Sequence, residues 1–262
     1  MRTRVLRVAG LMAPVLLLGS CASGGRPVPP PSLGATVSAT SSSEPSLAAP
    51  RPAPSPTLDP ADVVSSARDA TQDGGSVAVT RTTQDGDDWT HEEIEVAFTT
   101  PPSARVLHVG DEIWTLDVVD GVGYLKDQSE RKSMNRWSRL DDTETATYVE
   151  DLTPEGLLSV LDAATSVSPP TQEGVRDVPA TCHAFVLDPT QALATQPPTD
   201  TGAPTTATAV TAVARLCADG GGRPVELVVT IGERVTTTVF SQWGFALEAL
   251  PPPENLVDQP AG

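Results

Sequence analysis

Between about residues 58 and 258 the chain falls into short blocks of apolar and polar positions, and the period of each block predicts an element. Asp59-Pro60-Ala61-Asp62 opens the region with a side chain suited to cap a helix and a proline suited to its first turn. Val63, Val64, Ala67 and Ala70 then recur on one helical face, and Gly74-Gly75 ends the run. The period next shortens to two. Ile94, Val96 and Phe98 alternate with Glu93, Glu95 and Ala97, the pattern of a strand with one buried face. Gln84-Asp85-Gly86-Asp87 ties it as a hairpin to a preceding strand around 77–81. Trp114, Leu116 and Val118 form another one-sided set, and Asp120-Gly121 turns the chain into Val122-Gly123-Tyr124-Leu125-Lys126. A second helix is expected from Thr153-Pro154-Glu155, presenting Leu157, Leu158 and Leu161 to the core. Strands are expected at 181–188, 210–219, 225–231 and 235–240, with Asp219-Gly220-Gly221-Gly222 as a wide turn and 196–206 as a surface loop. Many short antiparallel strands with two helices predict an α+β domain built on one large sheet, and a span near 200 residues suits a single core.

The first 57 residues follow other rules. Arg2, Arg4 and Arg7 precede an apolar run over 8–18, which is shorter than the ~20 residues needed to span a bilayer. Leu18-Gly19-Ser20-Cys21 places small residues before a cysteine, as in a bacterial lipobox, so residues 1–20 read as an export signal and Cys21 as the acylated first residue of the mature chain. The expected address is the extracytoplasmic side of a cell membrane, held by acyl chains on Cys21. Residues 21–57 are rich in Pro, Ser, Ala, Gly and Thr and cannot bury enough surface to order themselves, which predicts a tether. Residues 259–262 are a short tail.

Charge narrows the partners. The chain has 17 basic and 34 acidic residues, and loss of the three leading arginines takes its net charge from −17 to about −20. That surface disfavours nucleic acid and anionic headgroups, so membrane contact falls to the anchor. Cys182 and Cys217 are the other two cysteines, and in an oxidising compartment they read as one disulfide.

Several motifs in order carry a resemblance. After the lipobox, tether and early helix come Gly121-Val122-Gly123-Tyr124-Leu125-Lys126 and Trp137-Ser138-Arg139-Leu140. Then follow Thr181-Cys182-His183-Ala184-Phe185-Val186-Leu187-Asp188, Ala218-Asp219-Gly220-Gly221-Gly222-Arg223-Pro224-Val225, Phe240-Ser241-Gln242-Trp243-Gly244 and Leu250-Pro251-Pro252-Pro253. This order resembles the actinobacterial LppX/LprAFG lipoproteins and the wider LolA/LolB-like group, over most of residues 60–258. The resemblance implies a curved antiparallel half-barrel closed on one side by helices, with an apolar hollow that holds the acyl chains of a lipid or glycolipid. Cys182 and Cys217 depart from the family pattern, whose matching positions more often hold residues that do not cross-link. The one-sided strand sets are the candidate lining: Ile94, Val96, Phe98, Trp114, Leu116, Val118, Phe185, Leu187, Leu227 and Val229.

Catalytic signals are weak by comparison. Ser129-Glu130-Arg131-Lys132 has the serine-x-x-lysine spacing of penicillin-recognising enzymes but sits in a polar run without the partner motifs. His91, His108 and His183 fall on different strands; His91 and Glu93 share a face while Glu92 points the other way. Asp85, Asp87 and Asp88 do not match a calcium loop, and no phosphate loop or dinucleotide fingerprint occurs. The sequence therefore predicts no enzyme, no metal and no cofactor. Two functional readings remain: a membrane-anchored binder or carrier of an acylated lipid, and a ligand-free sensor or scaffold that docks an envelope protein.

Overall fold

A computed structural model describes residues 58–128, 136–195 and 210–258. Cys21, the signal and tether, the 129–132 motif and the 196–206 loop lie outside the described residues.

Helix α1 (Pro60–Asp73) begins where the sequence places it. The Asp59 carboxylate accepts the Ala61 N–H at 2.9 Å, Pro60 occupies the first turn, and Val64, Ala67 and Thr71 are buried. Six strands then run as a meander: β1 (Ser76–Asp85), β2 (Asp88–Ala97), β3 (Ser103–Val109), β4 (Ile113–Val119), β5 (Val122–Asp127) and β6 (Trp137–Arg139). The β1–β2 turn is only Gly86-Asp87, and Gly86 takes the left-handed conformation (φ +62°) that such a tight hairpin needs.

Helices interrupt the strands next. Helix α2 (Asp142–Asp151) has few apolar residues and escapes a periodicity argument, but it starts on a full capping box: the Asp141 side chain accepts the Thr143 and Glu144 N–H groups while Glu144 accepts the Asp141 N–H. The helix expected at Thr153 is a single turn, α3 (Pro154–Leu157), followed by a 3-10 helix at Ser159–Ala163. Gly156 fits tightly against the backbone of Glu150 and Asp151, so the chain folds back on α2 there and does not extend a helix. Leu157, Leu158 and Leu161 nonetheless all enter the core.

The second half contains β7 (Ala164–Val167), β8 (Thr171–Val175), β9 (Val178–Leu187), helix α4 (Pro189–Ala194), β10 (Ala212–Ala218), β11 (Pro224–Ile231), β12 (Arg234–Ser241) and the short β13 (Val257–Asp258). All these strands form one sheet in the order β13-β6-β5-β4-β3-β2-β1-β12-β11-β10-β9-β7, with β8 on the remaining length of β9. Every pairing is antiparallel except β13 with β6, and the two ends of the sheet do not meet. The result is the large, open, curved antiparallel sheet with few helices that the resemblance implies. Buried residues of α1, α3 and the 3-10 helix join the apolar inner face of β1–β4 and β9–β12 in one core, while α2 sits on β5. None of the described helices is long and apolar enough to cross a membrane.

Candidate functional site

Strand register turns the alternating sequence into rows across the inner face. Val77, Val96, Ala104, Val118 and Gly123 make one row, and Phe240, Val79, Ile94, Val106, Leu116 and Leu125 make the next. On the other half of the sheet Phe185, Ala214 and Val229 continue the apolar surface, as do Leu216 with Leu227. Helix α2 meets this floor where β5 has no side chain: the Gly123 N–H donates to the Thr145 hydroxyl at 3.2 Å.

The ten candidate lining residues all belong to this surface. Ile94, Val96, Leu116, Val118, Phe185, Leu187, Leu227 and Val229 are each no more than 4 % exposed and pack into one cluster with Leu157, Leu158 and Leu161. Phe98 and Trp114 are partly buried against its edge. Two open depressions among the described residues lie elsewhere, and of the ten only Phe185 borders one of them. One, about 450 Å³, is on the outer face and is lined by Ser166, Ala184, Val186, Val213, Arg215 and Val228 among others. The second, about 430 Å³, is polar and lies between the end of α1 and the β10–β11 turn, beside Asp69, Asp73 and Arg223.

One pleat beyond the apolar rows, about 7 Å along the strands, the inner face changes character abruptly. Thr238, Arg81, Glu92, His108 and Trp114 stand opposite one another in a single row over five strands. Arg81 Nη1 donates to Glu92 Oε2 at 3.2 Å, and Glu92 Oε1 lies 3.1 Å from His108 Nδ1. The His108 ring is stacked on Trp114 with centroids 4.8 Å apart. Tyr148 of α2 leans over Trp114 at 6.1 Å. One helical turn on, Asp151 feels the charges of Arg81 and Glu92. Loss of hydration pushes the Asp151 carboxyl above its ordinary range, Arg81 opposes this, and Glu150 and Glu92 add to it. Burial, and then the charge of Glu144, raises the Tyr148 phenol.

Alternation along β2 sets Glu92 on the face opposite His91 but does not give its partners. His91 does point to the outer face, 3.6 Å from Glu93, as the alternation requires. Glu92 instead meets Arg81 on the preceding strand and His108 on the following one, and the strand registers bring all three together. His183 lies far from both on β9, with Nδ1 3.4 Å from the Ser168 carbonyl. Asp85 is taken by Arg234 at 2.7 Å, and the described residues contain no metal-binding group of three or more His, Cys, Asp or Glu.

Cys182 and Cys217 face each other in the β9–β10 ladder with Cα atoms 4.0 Å apart and are joined as a disulfide. The bridge lies on the outer side of the sheet in a small cluster with Val175, Ala180 and Val225, so it pins two strands without entering the inner surface.

No family model matches this sequence, and no curated protein matches it. Solved structures do. The lipoprotein LppX of Mycobacterium tuberculosis aligns over 73 % of this chain and 100 % of its own, at 18 % identity and a TM-score of 0.50. LprF of Mycobacterium bovis aligns over 75 % of this chain and 99 % of its own, at 12 % identity and a TM-score of 0.49. The MucA/MucB complex of Pseudomonas aeruginosa covers 76 % of this chain at 14 % identity, with a TM-score of 0.41. The fold is thus like that of LppX, and at 18 % identity the likeness extends to architecture alone.

Proposed function

We propose that this chain is an envelope lipoprotein, held to the outside of a cell membrane by acylated Cys21, that binds the acyl part of a lipid or glycolipid without catalysis. The observation that carries the reading is the continuous apolar inner face of an unclosed sheet, roofed by short helices and bounded on one side by a polar row. An acyl chain enters by parting helices from sheet, and the ten residues named above become its walls. Burial of each methylene is worth ~0.8 kcal/mol, so a long chain brings roughly 10 kcal/mol with which to offset the helix–sheet contacts it replaces. The disulfide ties β9 to β10 and so supports a reading in which those two strands stay together as the helices part. Native mass spectrometry and solvent extraction of the full-length protein from its host membrane are expected to find bound lipid. A protein that comes out empty, and that fails to take up a fluorescent acyl probe, overturns the reading.

A second reading has its own support. Val186 is 52 % exposed and Val213 38 % exposed, side by side in the outer depression next to Arg215. That surface favours docking of an envelope protein. Crosslinking in cells that returns one dominant protein partner and no lipid selects this alternative.

A further inference from the structure

The uncovered apolar residues are not scattered. Of the eight large apolar side chains exposed among the described residues, Val186, Val213, Val235, Trp89 and Ile113 stand on the outer face, toward one end of the sheet. Register makes most of them a line: Val186, Val213, Thr230, Val235, Gln84 and Trp89 lie opposite one another from β9 to β2. Their neighbours along each strand, such as Phe185, Ala214, Ile231 and Thr236, are buried, so alternation turns the line outward. Six strands spaced ~4.8 Å apart give it a length of about 24 Å. The outer depression holds one end of the line, and Trp89, 56 % exposed, stands at the other.

One sign of charge borders this band. The β11–β12, β1–β2 and β3–β4 turns close at the same end of the sheet and bring Glu233, Asp87, Asp88, Asp111 and Glu112, all exposed. The only basic residue at these turns is Arg234, which Asp85 holds at 2.7 Å. One pleat to the other side of the line, Arg215 is bonded to Glu173 and Glu226.

We infer that this band docks a basic amphipathic helix of another envelope protein, about 16 residues long at 1.5 Å per residue, with lysine or arginine beside its apolar face. The inference rests on the second functional reading, which takes the outer face as an interface, and leaves the inner face to lipid. Spacing selects a helix. Its apolar positions three and four residues apart rise about 4.5–6 Å, one step per strand crossed, whereas alternate residues of an extended segment lie ~6.6 Å apart. Charge selects the partner. A second copy of this chain brings its own five carboxylates and a net charge of −17 to the contact, and anionic lipid headgroups are repelled in the same way. A basic flank instead meets the acidic turns, and one large apolar side chain of the helix fills the depression beside Val213.

The test titrates labelled peptides of that length against the full chain at physiological salt, read by anisotropy. One is a leucine/lysine amphipathic helix, the second replaces its lysines by glutamate, and the third keeps the lysines but replaces leucine by serine. The leucine/lysine helix is expected to bind at least tenfold tighter than either other peptide. Trp89→Ser with Val213→Ser, and separately Asp87→Asn with Asp88→Asn and Glu112→Gln, are each expected to weaken it at least fivefold. Asp62→Asn with Asp142→Asn and Glu155→Gln makes the same change of charge on the helices and is expected to leave binding within twofold. Equal losses in the two charge variants, no preference for the leucine/lysine helix, or no binding at all overturns the inference. A photoreactive benzoylphenylalanine in place of Val213 then reads the occupant in cells. A crosslinked segment with basic residues beside an apolar face supports the inference; an acidic segment, a second copy of this chain or a lipid overturns it. An acidic segment leaves the second reading standing, whereas no protein crosslinked at this position overturns that reading as well.

Discussion

Replacing Gly123 by alanine tests how closely α2 is seated on the sheet. A Cβ at this position lies 2.7 Å from Thr145 Oγ1, 3.1 Å from Leu140 Cδ1 and 3.3 Å from Thr145 Cγ2. Nonbonded carbon contacts settle at about 3.5–4.0 Å, so α2 must retreat by several tenths of an ångström. Overpacking of this kind costs about 1–3 kcal/mol, and stretching the 3.2 Å bond from the Gly123 N–H to Thr145 removes about 1 kcal/mol more. The stiffer unfolded chain returns about 0.4–1 kcal/mol. Gly123→Ala is therefore expected to destabilise the domain by roughly 1–4 kcal/mol, read as a lower urea midpoint at unchanged slope. Thr145→Ala deletes both clashing atoms of that residue, so the double variant should lose less than the sum of the singles. A Gly123→Ala protein as stable as the parent, or strict additivity in the pair, refutes the seating of α2 described above.

Other outcomes follow from the same structure. Replacing Cys182 and Cys217 together by alanine frees two points 35 residues apart and is expected to cost about 4 kcal/mol in the chain-entropy account, or roughly 8–15 °C in melting temperature for a domain of this size; a shift below about 3 °C in a thermal melt contradicts it. Asp141→Ala removes both capping bonds of α2 and should cost about 1 kcal/mol by urea titration, whereas Asp142→Ala next to it should be nearly silent. At the β10–β11 turn burial pushes the Asp219 carboxyl up, but hydrogen bonds from the Arg223 side chain and from the Arg223 and Gly221 backbone outweigh it and hold the group below its usual value. Its contribution is then fully present above the unfolded value of about 3.9 and is lost as pH falls through the lower folded one. Stability profiles of the parent and Asp219→Asn are expected to converge below about pH 4, and parallel profiles across that range contradict the assignment.

The fold was legible where side-chain chemistry acts locally. Asp59-Pro60 marks the start of α1, Gly86 marks the hairpin, and the alternation of Ile94 and Val96 marks the buried face of β2. It was not legible where backbone capping substitutes for an apolar stripe, as in α2, whose only buried residue is Thr145. The candidate site divides in the same way. Its apolar rows are visible as one-sided strands, each read alone. Arg81 and Glu92 face each other across the hairpin, but the row reaches His108 and Trp114 only once β1 to β4 are in register, because those two lie on strands that no local signal ties to Glu92.

The pairing of β1 with β12 bears on how the molecule is made. Those two strands sit side by side at the middle of the sheet, yet they are the first and nearly the last to leave the ribosome. Until about residue 241 has emerged, each meander has an unpaired inner edge, so the two halves cannot zip together and the barrier to assembly includes one very long loop closure. The join at the middle of the sheet is thereby the last part of the fold to form, completed only when nearly the whole chain is available.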